Sequence, residues 1–132
     1  MILDSSALVA ILTDEPEAGC LAEIVEATPS IQVSAATLLE TSMVLGEGRR
    51  PELKEWLREA GATIVPFDED QLAMAWRGHR RFGKGSGSPA RLNLGDCFSY
   101  ALAMSLDQPL LFKGDDFAHT DVTPAYLPRA CR

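Results

Sequence analysis

The sequence predicts an α/β fold in which a mainly parallel central sheet is flanked by helices on both faces. Two observations carry this expectation: four short apolar or alternating stretches at 1–3, 30–33, 63–65 and 109–112, and helix-spaced apolar residues between them. Strands that alternate with helices pair in parallel through crossovers, and the crossovers cover both faces of the sheet. With 132 residues, 46% of them hydrophobic, the chain is expected to close one core as a single domain over 1–132.

The opening apolar residues end in Asp4 and run into Ser5, Ser6 and the apolar stretch 7–12, which reads as a buried strand, a polar turn and a helix. Acidic residues and Pro16 at 14–17 suit a first helical turn. Leu21, Ile24 and Val25 follow at helical spacing, so a second helix is expected to end near Thr28 and Pro29. Ser34 is placed to cap a helix over 35–45 that Gly46 and Gly48 close, and residues 51–60 form the next helix with Gly61 as its stop. Asp68 starts another helix through Leu72, Met74, Ala75 and Trp76. The glycine- and serine-rich segment 83–89 is a loop too short to link two domains, and the strongly apolar helix 94–106 is expected to be buried on most sides. A turn at 114–117 and an extended segment from Val122 lead into a proline-punctuated tail.

The start carries no basic leader and no apolar run is long enough to span a bilayer, so a soluble, cytoplasmic protein that makes no membrane contact is expected. Cys20, Cys97 and Cys131 form no C-x-x-C pair and leave one cysteine over, which suits a reducing compartment better than a disulfide framework. A net charge of -7 argues at first against a polyanionic partner. The charge is segregated, however: residues 71–95 contain no acid and carry +5 through Arg77, Arg80, Arg81, Lys84 and Arg91, leaving -12 elsewhere.

In parallel α/β sheets ligands sit beyond the carboxyl ends of the strands, and the acids gather there. Asp4 ends the first strand; Asp115 and Asp116 follow the last on a turn introduced by Gly114. Asp96 opens the apolar helix three residues after Asn93, the position of an N3 acid in an Asn-capped helix. Glu40 has apolar residues at Ala36, Met43 and Val44, which puts it on an expected buried face, where a charge needs a partner. Each acid alone has a bland reading, as a cap, a polar turn or, for Glu40, a solvated edge glutamate; their shared rim favours a site. Carboxylates about 4 Å apart repel by roughly 4 kcal/mol at an effective dielectric near 20, and a divalent cation removes the conflict. Oxygen-only ligands select a hard ion, Mg²⁺ or Mn²⁺, and His79 and His119 lack a partner at metal-ligand spacing, so both are assigned to the surface.

These residues resemble a known family. Met1-Ile2-Leu3-Asp4-Ser5-Ser6-Ala7, the helical Glu40, the segment 92–98 around Asp96, and 110–117 followed by Thr120 and Asp121 are similar over essentially the whole chain to PIN-domain ribonucleases of the VapC type, toxins of bacterial toxin–antitoxin pairs. The resemblance implies a three-layer α/β/α PIN-like fold, Mg²⁺ or Mn²⁺ at the acidic pocket, endonucleolytic cleavage of RNA and inhibition by a cognate antitoxin, in a homodimer or a toxin–antitoxin hetero-oligomer. It carries catalytic roles onto Asp4, Glu40 and Asp96. Many relatives have two aspartates separated by one residue before the phenylalanine; here Gly114 takes the first of those places, so Asp115 and Asp116 both remain candidates.

Asp4 and Asp96 are expected to hold the metal, with Glu40 and Asp115 or Asp116 completing its surroundings. Arg77, Arg80, Arg81, Lys84 and Arg91 are candidates for RNA phosphate contacts, beside the plainer reading of solvated charges at a helix end. Trp76 and Phe82 have the shape to stack on bases, but Trp76 shares a helix face with Leu72 and is assigned to the core. Three other readings stay open. A phosphatase would want D-x-D after the first strand, where Ser5 and Ser6 stand. A receiver domain would need an internal strand ending in aspartate, although Lys113 is placed suggestively. A catalytically silent PIN-like interaction module would differ only in lacking turnover.

Overall fold

A computed structural model gives the fold and describes residues 1–126 and Cys131. Four parallel strands, β1 (Ile2–Leu3), β2 (Gln32–Ser34), β3 (Thr63–Val65) and β4 (Leu110–Leu111), lie in the order β3-β2-β1-β4. Between them run α1 (Ser5–Leu12), α2 (Ala18–Glu26), α3 (Ala35–Leu45), α4 (Arg50–Ala60), α5 (Glu69–Phe82) and α6 (Leu94–Leu106). Successive strand residues point to opposite faces, and the core divides accordingly. Leu3, Val33 and Leu111 join Leu8, Leu21, Leu53 and Leu57 on one side. Ile2, Leu110 and Phe112 join Ala75, Tyr100 and Leu102 on the other. The result is the expected three-layer α/β/α arrangement.

Local signals set most boundaries. Ser34 Oγ accepts from Ala36 N–H at 3.2 Å and Asp68 Oδ1 from Gln71 N–H at 2.9 Å, while Gly46 and Gly61 take φ of +90° and +66° at helix ends. α2 begins only at Ala18, because Asp14 adopts a left-handed φ of +53° and residues 13–17 form a turn. The segment expected to extend from Val122 contributes a single bridge, Leu110 to Pro124. Of the tail, residues 127–130 and 132 lie outside the described residues.

The cysteines and Trp76 depart from expectation. Cys20 and Cys131, 111 residues apart, are joined by a disulfide, leaving buried Cys97 free; the chain's return to α2 pairs two cysteines that spacing alone kept apart. Trp76 is 67% exposed and not in the core. The face that α5 buries consists of Gln71, Ala75 and Gly78, one residue out of step with Leu72 and Trp76. Gly78 has no Cβ to hold off Tyr100, whose Cε1 would lie 2.6 Å from one, so α5 and α6 close tightly along this small-residue seam. Tyr100 is fully buried there, its hydroxyl donating to Asp121 at 2.8 Å. Among the described residues no helix is long and apolar enough to cross a membrane.

Candidate active site

All four strands are parallel, so the segments that follow them emerge at one rim. Asp4 stands where β1 turns into α1 and is buried, 2% exposed. Its backbone N–H donates to Leu111 O at 3.0 Å, which fixes it against β4. Its carboxylate caps α1: Oδ2 accepts from Ser6 N–H at 3.0 Å and from Ser6 Oγ–H at 2.6 Å. Oδ1 accepts from Ser99 Oγ at 2.5 Å, across the sheet edge from α6. Ser99 also meets Thr37 Oγ1 of α3 at 3.2 Å, and Ser6 Oγ accepts from Lys113 N–H at 2.9 Å. Hydroxyls from two helices thus hold one buried carboxylate in place, and a third, Thr37, meets Ser99 from α3. The cap and the site candidate are the same residue.

Asp96 likewise serves two purposes. Asn93 Oδ1 accepts from Asp96 N–H at 2.9 Å and Asp96 Oδ2 accepts from Asn93 N–H at 3.0 Å, a reciprocal capping box that starts α6. Burial raises the Asp96 carboxyl from an ordinary 3.8 to about 6; the hydrogen bond from the Asn93 backbone opposes this, and the negative charges of Asp4, Asp116 and Glu40 add to it. Four acids from four separate segments therefore share one field. Asp115 and Asp116 are both exposed on the turn after β4, and the charge of Asp116 is one of those that raise Asp96.

Glu40 reaches this rim by a different route from the one its neighbours suggested. The buried residues of α3 are Thr37 and Thr41, while Leu39, Met43 and Val44 are 64%, 75% and 64% exposed. The expectation that Glu40 lies on a buried apolar face is wrong: threonines can face inward because Thr41 Oγ1 donates to Thr37 O at 2.8 Å and Thr37 meets Ser99. Half-buried, Glu40 extends to α6 and rests its carboxylate on Gly95.

The remaining candidates lie outside this cluster. Arg77 and Arg81 face Asp121 at 3.5 and 3.2 Å, whereas Arg80, Lys84 and Arg91 are exposed and make no ion pair among the described residues. Lys113 pairs through Nζ with Glu15 at 2.5 Å and Glu17 at 3.3 Å and not with the rim acids, which removes the receiver-like use of that lysine. His79 and His119 are exposed. Ser6, Thr37, Ser99 and Gly95 escaped the sequence reading. Ser99 had a signal, as a hydroxyl amid the apolar run of α6; Gly95 had one only as a helix-interior glycine.

A model of the PIN-domain family matches residues 1–122. The chain belongs to the PIN-domain family. Within it, Ribonuclease VapC42 of Mycobacterium tuberculosis is 44% identical over 129 residues, covering 95% of this chain and 98% of that protein. Ribonuclease VapC of Mycolicibacterium smegmatis is 48% identical over 130 residues, covering 96% and 100%. Ribonuclease VapC30 of Mycobacterium tuberculosis is 46% identical over 132 residues, covering 97% and 100%. This is a VapC-type PIN domain. A solved toxin–antitoxin complex from Klebsiella pneumoniae superposes with a TM-score of 0.70 at 20% identity, covering 95% of this chain and 97% of that one, which supports the fold.

In this PIN domain no three His, Cys, Asp or Glu side chains among the described residues are close enough to ligate one ion as they stand. The donor set nonetheless suits a hard divalent cation. It is all carboxylate oxygen, the neighbouring negative charges raise the cost of ionising Asp96, and the Asp4 and Asp96 carboxylates each keep lone pairs beyond the hydrogen bonds they accept.

Proposed function

We propose that this chain is a divalent-cation-dependent endoribonuclease acting as the toxin of a toxin–antitoxin pair in the cytoplasm. The observation that carries the reading is the buried Asp4 at the exit of β1 together with the Glu40 carboxylate seated against Gly95, next to Asp96, whose carboxyl their charges raise. Family membership gives that acidic rim its chemistry.

Asp4 and Asp96 would hold Mg²⁺ or Mn²⁺, and Glu40 and Asp116 would complete the acidic surroundings. A cation bound there supplies charge neutralisation at the scissile phosphate and a water of lowered pKa. Ser6 and Ser99 keep the Asp4 carboxylate from turning away, and the Asn93 capping box fixes Asp96 on a rigid helix end. Asp115 is exposed beside Asp116 on the same turn and is the alternative fourth acid. Arg80, Lys84 and Arg91 contact backbone phosphates of the RNA, while Arg77 and Arg81 are partly neutralised by Asp121. The cognate antitoxin is the protein partner, in a hetero-oligomer with the toxin or a toxin homodimer.

Incubating total RNA with partner-free protein, with Mg²⁺ or Mn²⁺ and with chelator, tests this directly. Cleavage is expected only with metal, leaving 5′-phosphate and 3′-hydroxyl ends, and Asp4→Asn is expected to lower it on the order of a thousandfold. Fragments ending in 2′,3′-cyclic phosphate would rule the mechanism out. Metal binding without any cleavage would favour the silent interaction module.

A further inference from the structure

Gly95 occupies the second position of α6, between Leu94 and Asp96, and is buried. Nothing in its backbone calls for glycine: it is not among the positive-φ residues, and a helical position disfavours glycine relative to alanine. Its surroundings do. A Cβ built there would land within the Glu40 carboxylate, 2.6 Å from Oε1 and closer still to Cδ and Oε2. The three nearest atoms all belong to Glu40. The missing methyl is thus the space in which one acid of the site sits. Against the first turn of a helix, that space is also where an anionic side chain is favoured.

We propose that Gly95 is a positioning residue, whose lack of a side chain seats the Glu40 carboxylate beside Asp96 and so completes the cation-binding rim. The inference rests on the nuclease reading for its effect on cleavage, but not for its effect on Glu40. Alanine at 95 has a helical backbone available, and the three atoms nearest its methyl are the end of one flexible side chain. The fold should therefore survive while Glu40 is pushed out of register, and a misplacement of about 1 Å in a catalytic group can cost up to a hundredfold in rate.

Gly95→Ala is expected to melt at or above the wild-type temperature, to shift the ¹³C carboxyl resonance of Glu40 in the metal-free protein, to weaken Mn²⁺ binding, and to lower cleavage roughly tenfold to a hundredfold. In a Glu40→Gln background the same change should have almost no further effect on cleavage or Mn²⁺ affinity, because two groups acting as one unit are not additive. Undiminished Mn²⁺ affinity in Gly95→Ala, or full additivity with Glu40→Gln, would overturn the inference. So would a melting temperature far below wild type, since the methyl would then be striking more than a side-chain tip. If wild type cleaves no RNA, the nuclease reading fails by itself, and the Mn²⁺ titrations with the Glu40 resonance still decide the role of Gly95.

Discussion

Asp4 and the Asp115–Asp116 turn lie at the same rim and differ in almost everything else. Asp4 is buried and accepts hydrogen bonds from Ser6 and Ser99, whose hydroxyls are tied in turn to β4's exit and to α3. The two acids after β4 are exposed, and Asp115 makes no side-chain capping bond where it precedes the short 3₁₀ turn Asp116–His119. One side of the site is pre-built and the other is open. A carboxylate held by hydroxyl donors keeps its orientation without a cation, whereas one on an exposed turn has to be drawn in by a ligand at the moment of binding.

That contrast can be broken first at its open end. If Asp116 is the fourth acid of the site, Asp116→Asn should lower cleavage by roughly a hundredfold and Asp115→Asn by no more than about twofold. Equal losses in steady-state rates would mean that the turn rearranges on binding and that the two acids are interchangeable. At the locked end, Ser99→Ala removes the donor to Asp4 Oδ1 and separates Thr37 from its partner. The expected effects are roughly a tenfold loss of cleavage and about 1 kcal/mol of stability by denaturant titration. Unaltered cleavage would show that Ser6 alone is enough to hold Asp4. The smallest effect is expected away from both: Arg80→Ala with Lys84→Ala should weaken RNA binding a few-fold and reduce the slope of log affinity against log salt by about one to two. An unchanged slope would remove this patch from the RNA path.

The same contrast explains how much was legible in the sequence. The parallel α/β plan, the caps Ser34, Asp68 and Asn93, and the placement of Asp4, Asp96 and the Asp115–Asp116 pair follow from local signals: apolar period, polar turn and capping residue. What failed depended on rotation and return of the chain. Trp76 looked inward because it repeats with Leu72, but the glycine at 78 and the Tyr100 ring turn α5 by one residue. Glu40 seemed buried among Ala36, Met43 and Val44, yet α3 buries threonines whose hydroxyls find partners. The Cys20–Cys131 disulfide depends on a contact 111 residues long, which spacing cannot foresee. Ser99 and Gly95 matter only through what stands opposite them.

Thermal melting with pH tests most directly whether these acids crowd together in order to take up a cation. In the fold the Asp96 carboxyl is raised from about 3.8 to about 6, so between those values the native state binds more protons than the unfolded chain. The contribution of Asp96 to stability is therefore full at low pH and is lost as pH rises through that window. A divalent ion replaces the lost proton, so Mn²⁺ should raise the melting temperature clearly at pH 7.5 and little at pH 5, with Asp96→Asn weakening both the pH dependence and the response to the ion. A melting temperature that Mn²⁺ leaves unchanged at pH 7.5 would contradict the account.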